Sequence, residues 1–130
     1  MAKKPVVEIG PFGFKSGKEV DKDLAKIAVK SMEKAAQSSF KSKFEPVTST
    51  KEKTGYHYEA RLLVCKVDGS DVKVEIEATA HRLENMRPMI KAKTGAGASG
   101  KPERAVDDAI WGAVEANIKK VGPQLLKLKG

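Results

Sequence analysis

Three side chains in this sequence could do nucleophilic or metal chemistry: the two histidines, His57 and His81, and the one cysteine, Cys65. Nucleophilic catalysis needs Ser or Cys beside a His that a third group orients, and no spacing here supplies that set. Cys65 sits in Leu62-Leu63-Val64-Cys65 and reads as a small strand residue; a single cysteine cannot close an internal disulfide. Glu75 and Glu77 alternate on one strand, where solvation leaves little reason for a shifted carboxyl pKa. No HExxH, CxxC or EF-hand pattern occurs, so neither an enzyme nor a cofactor is expected.

Gly95-Ala96-Gly97-Ala98-Ser99-Gly100-Lys101 has the glycines and lysine of a phosphate-binding loop. The next residue is Pro102, where a Ser or Thr would hold magnesium, and proline lacks the backbone donor that cradles phosphate. A flexible loop is expected instead.

The stronger pattern is electrostatic. Lys18, Lys22, Lys26, Lys30 and Lys34 recur at steps of four. Like charges at that spacing each destabilise an isolated helix by about 0.2–0.5 kcal/mol. They read either as a solvated face or as a contact for polyanions. The segment 82–104 holds six basic residues against two acidic ones, among them Arg87, Lys91, Lys93, Lys101 and Arg104. These ten residues form the candidate polyanion-binding set. The formal charge of +8 favours polyanionic partners, and the scarcity of arginine suits phosphate attraction better than bidentate reading of base edges. Stacking aromatics are few; Phe12 and Phe14, in a glycine-rich stretch, are the one candidate pair, and anchoring that turn into the core is the expected role for them over exposure.

These groups need a scaffold, and hydrophobic periodicity supplies one. Val6, Val7 and Ile9 read as a short strand ending in a turn at Gly10-Pro11. Ser16 and Glu19 have capping-box spacing, and Val20 to Phe40 carries an apolar stripe at steps of three and four, predicting a helix over 17–41. Pro46 marks Val47 to Thr50 as an edge strand. Tyr56 to Val64 and Val72 to Ala80 alternate with period two, predicting two strands joined near Asp68-Gly69-Ser70. Only an odd loop, of three or five residues, would oppose Leu62 to Ile76 and Val64 to Val74. In that register Arg61 faces Glu77, Glu59 faces Thr79 and His57 faces His81, so the two histidines meet on the outer face of the sheet and could share a divalent ion. Met89 to Lys93 is a further short strand candidate. A second helix opens at Pro102 and is expected to stop at Gly122-Pro123, leaving 123–130 as a flexible basic tail.

The prediction is one α+β domain over 1–130: a four- or five-stranded antiparallel sheet with both helices on one face, in the order β-α-β-β-β-(β)-α. The helix, three strands, helix portion, about residues 20–121, resembles the order in double-stranded RNA-binding domains. In that family the second helix begins with a lysine cluster; here the stretch is Gly100-Lys101-Pro102-Glu103-Arg104, and no binding residue is carried over. No apolar run is long enough to span a bilayer and no secretory leader is recognisable, so a cytoplasmic, reducing setting is expected. The functional expectation is a small basic, non-catalytic module contacting nucleic acid or another polyanion. The alternative is a protein-interaction or structural component, with a protein partner or as a homo-oligomer, without a nucleic-acid role.

Overall fold

The computed structural model describes residues 4–15, 17–49, 51 and 54–128, apart from the side chains of 86–88. Seven elements follow in the order β1 (Val6–Phe14), α1 (Lys22–Phe40), β2 (Glu45–Val47), β3 (Tyr56–Asp68), β4 (Asp71–Arg82), β5 (Asn85–Ser99) and α2 (Pro102–Lys127). The α+β class and the element order are those expected from the sequence. The sheet runs β2-β1-β3-β4-β5 and is mixed, because β1 lies parallel to both β2 and β3 while β3, β4 and β5 are antiparallel. Parallel neighbours require a crossover, and α1 provides it between β1 and β2.

Alternation decides which face is buried. Tyr58, Ala60 and Leu62 of β3, Val72 to Ala80 at every second position of β4, and Ile90 and Ala92 of β5 point into one core with the apolar stripes of both helices. Each substantial aliphatic side chain removed from water contributes about 1.5–3 kcal/mol.

The first strand is longer than its apolar run. It bulges between Ile9 and Phe12, where Gly10 takes φ 100°, and continues to Phe14. Phe12 and Phe14 are partly buried and pack against the core, as the anchoring reading expects, and no exposed stacking pair forms. The helix that follows starts later than its capping-box signal. Ser16 lies outside the described residues, and Cys65 N donates to Glu19 O while Asp21 N donates to Cys65 O, holding 19–21 extended against β3. Asp21 is the cap: its Oδ1 accepts from Asp23 N at 3.0 Å and Leu24 N at 3.1 Å, satisfying two of the orphan donors of the first turn. The edge strand β2 spans Glu45–Val47, earlier than the expected Val47 to Thr50; Thr50 itself is outside the described residues.

The β3–β4 register follows the expected pairing from Tyr56↔Arg82 through Leu62↔Ile76, but its loop is the even one, Gly69-Ser70. A bulge between Leu62 and Val64 reconciles the two. It shifts the inner face by one residue, so that Cys65, and not Val64, stands opposite Val74 in the core.

Two further expectations fail for tertiary reasons. Thr94 to Ser99 is strand, not loop: it pairs with Asp71 to Ile76 along its whole length. Its small residues fit beneath α2, where a Cβ on Gly112 would meet Ala96 Cβ at 3.4 Å and Thr94 Oγ1 donates to Ala113 O at 2.7 Å. Likewise α2 runs through Gly122-Pro123 to Lys127, beyond its expected stop, so 123–127 is helical; residues 129–130 lie outside the described set. An interior proline destabilises a helix by about 3 kcal/mol. Burial of Val121 and Leu125, at 1% and 0% exposure, contributes about 1.5–3 kcal/mol each and offsets it.

Candidate functional site

The outer face of the sheet is the polar side of the molecule opposite the helices. Alternation with Tyr58, Ala60, Ala78, Ala80, Ile90 and Ala92 places His57, Glu59, Arg61, Glu77, Thr79, His81, Lys91 and Lys93 there. Register lines them up in cross-strand rows: Glu8, His57 and His81; Glu59, Thr79 and Lys91; Arg61, Glu77 and Lys93. Charges of opposite sign stand next to each other in the last row, which favours the pairing.

His57 and His81 are cross-strand partners, with ring centroids 5.1 Å apart and planes inclined by 25°. His57 Nδ1 lies 2.9 Å from Glu8 Oε1, and His81 Nδ1 lies 2.7 Å from Arg82 O. A carboxylate and a carbonyl only accept, so each Nδ1 carries the proton it donates. Glu59 Oε2 stands 3.9 Å from His57 Nε2, and Glu59 Oε1 accepts from Thr79 Oγ1 at 3.2 Å. Sequence reasoning missed Glu8. Its place beside His57 depends on β1 inserting between β2 and β3, which no local pattern announces. Among the described residues, no group of three or more His, Cys, Asp or Glu side chains is arranged as a ready-made metal cage.

A cleft of about 370 Å³ opens next to this cluster at the β1 bulge, with Phe12, Phe14, Glu59, Arg61 and Glu77 among its walls. Another, of about 360 Å³, lies between the end of α1 and α2, against Phe40, Phe44, Ser39, Glu115 and Lys119. Neither contains Cys65, whose thiol is pushed up by burial and further by the nearby Asp21 carboxylate. Burial alone raises the Tyr58 phenol well above its ordinary range. A thiol and a phenol held protonated are poor nucleophiles and poor bases.

The candidate polyanion set is divided among surfaces. Lys22, Lys26, Lys30 and Lys34 are exposed along α1, in the helix layer, and Lys18 lies in the turn before it. Lys101 and Arg104 are exposed at the start of α2. Lys91 and Lys93 are on the opposite, outer sheet face, interleaved with Glu59 and Glu77. The side chain of Arg87 lies outside the described residues. The structure therefore unites the two histidines and separates the lysines.

Fold and site together define a small α+β domain with a mixed five-stranded sheet, helices on one face and a charged, histidine-bearing face on the other. No family model matches the chain, and no curated protein matches it in sequence. Solved structures share the fold. A hypothetical protein from Chlamydia trachomatis has a TM-score of 0.62 at 10% identity, covering 92% of this chain and 97% of that one. The PelC dodecamer from Paraburkholderia phytofirmans has a TM-score of 0.58 at 7% identity, covering 91% and 89%. A candidate lipoprotein from Caulobacter crescentus has a TM-score of 0.51 at 7% identity, covering 91% and 85%.

Proposed function

We propose that this chain is a small non-catalytic interaction or structural component that works as a homo-oligomer. The observation that carries this reading is the edge of the sheet at β5. This 15-residue strand pairs on one side only, with β4, and its second half, Thr94 to Ser99, bears no charge. A long open edge offers unpaired backbone donors and acceptors to another chain. Lys91 and Lys93 guard its first half, as charged residues do on edges that must not pair indiscriminately. The likeness in fold to a dodecamer supports the same reading. No helix among the described residues is long and apolar enough to cross a membrane.

The test is mass in solution against protein concentration, by sedimentation equilibrium or light scattering. A defined oligomer, unaffected by added nucleic acid, is the expected result. The exposed α1 lysines and the charge of +8 favour a second reading, polyanion binding. A monomer at every concentration that retards nucleic acid in gels at low salt, and releases it as salt rises, would replace the first reading by the second.

A further inference from the structure

We infer that His57 and His81 form a binding site for a borderline divalent transition-metal ion of the zinc, nickel or copper class, clamped across β3 and β4. The two imidazoles are held in cross-strand register with centroids 5.1 Å apart. More telling than their proximity is the state of their nitrogens. Both Nδ1 atoms are committed as donors, His57 to Glu8 Oε1 at 2.9 Å and His81 to Arg82 O at 2.7 Å. Metal-binding histidines use this arrangement: one ring nitrogen donates to a carboxylate or carbonyl, fixing the tautomer and strengthening the other nitrogen as a ligand. It leaves each Nε2 with its lone pair, and among the described residues neither Nε2 has a hydrogen-bond partner.

Glu59 flanks the pair without completing a three-residue cage. Glu59 Oε2 is 3.9 Å from His57 Nε2, beyond hydrogen-bond length, while Thr79 Oγ1 donates to Glu59 Oε1 at 3.2 Å and holds the carboxylate on this row. Imidazole nitrogens bind zinc at about 2.0–2.1 Å, so the Nε2 edges of the two rings tilt toward each other when the ion enters, with water completing the shell. His57 retains 15% of its side-chain surface and the site lies on the open face of the sheet, so the ion enters without unfolding. Imidazole donors select borderline metals; magnesium and calcium prefer all-oxygen shells.

The experiment is a titration of the untagged full chain with Zn²⁺ alone, followed by calorimetry and by the Hε1 and Nε2 resonances of both histidines. One equivalent is expected to shift both sets of resonances together and saturably, with no response to Mg²⁺. His57→Asn and His81→Asn should each abolish the shift in the remaining histidine. Glu8→Gln, which touches no metal, should weaken binding by about 10–100-fold. Circular dichroism establishes that each variant is folded. Absence of saturable binding overturns the site. So does binding that survives either histidine variant, because Cys65 or another group would then be the ligand. A response confined to one histidine overturns the shared clamp.

Discussion

The Tyr58 hydroxyl donates to Asn117 Oδ1 at 2.8 Å in the interior, joining the central strand β3 to α2. Asn117 is fully buried, and its amide donates in turn to Ala92 O at 3.1 Å and Thr94 Oγ1 at 3.3 Å on β5. One asparagine thus ties helix, centre and edge of the sheet, with no buried side-chain polar atom among the described residues left unpaired.

Removing one partner from this network strands the other. Tyr58→Phe leaves Asn117 Oδ1 without its donor in the core, which destabilises by about 1–3 kcal/mol. Urea denaturation should show a lower midpoint at an unchanged slope. A midpoint equal to that of the parent would mean that the bond contributes nothing net.

The same phenol links stability to pH. Burial raises its folded-state pKa above the unfolded value of 10.0. The group's contribution is therefore fully present below about pH 10 and is lost as pH climbs from there toward the folded-state value, because the unfolded chain releases the proton first. Thermal melts of the parent and Tyr58→Phe between neutral and strongly alkaline pH should converge as pH rises. Parallel curves would remove Tyr58 from the account.

Lys26 and Lys30 are exposed on α1, one turn apart on the row of like charges. Replacing both with glutamine relieves three repulsive pairs worth about 0.2–0.5 kcal/mol each and gives up the attractions to Asp23 and Glu33, so the fold should stay intact and gain a net few tenths of a kcal/mol. Chemical denaturation measures this. A loss of more than about 1 kcal/mol would show that these side chains make contacts that an exposed row does not predict.

Gly55 stands where β3 begins, at φ 128°, and a Cβ there would meet Val6 O at 2.7 Å. Gly55→Ala combines left-handed strain with a backbone clash, and should cost about 1–3 kcal/mol or more. Gly69, at φ 64° with nothing within 4 Å of its Cβ position, supplies the comparison. Gly69→Ala carries the strain without the clash, so denaturation midpoints should fall further for the first variant than for the second.

Periodicity determined that there are two helices and which residues of β3 and β4 share the buried face, and opposing those faces brings His57 to His81. Those depend on which residues share a face, and a side-chain period of two or 3.6 fixes that locally. The histidines pair although the loop is even and not odd: a bulge at Leu63 lets the turn Gly69-Ser70 coexist with Leu62 opposite Ile76, and a bulge leaves no trace in an alternation pattern until the partner strand is known.

Tertiary structure decided everything that needed a distant neighbour. Glu8 became a partner of His57 only because β1 inserts in parallel between β2 and β3. Thr94 to Ser99, glycine-rich and unpromising in isolation, is strand because β4 supplies its ladder and α2 its cover. Helix α2 passes Pro123 because Leu125 is buried beyond it. The basic residues of the candidate polyanion set fall on opposite faces because α1 and β5 are on different layers. In each case the local preference is worth about 1–3 kcal/mol, and packing against an element far away in sequence contributes as much or more.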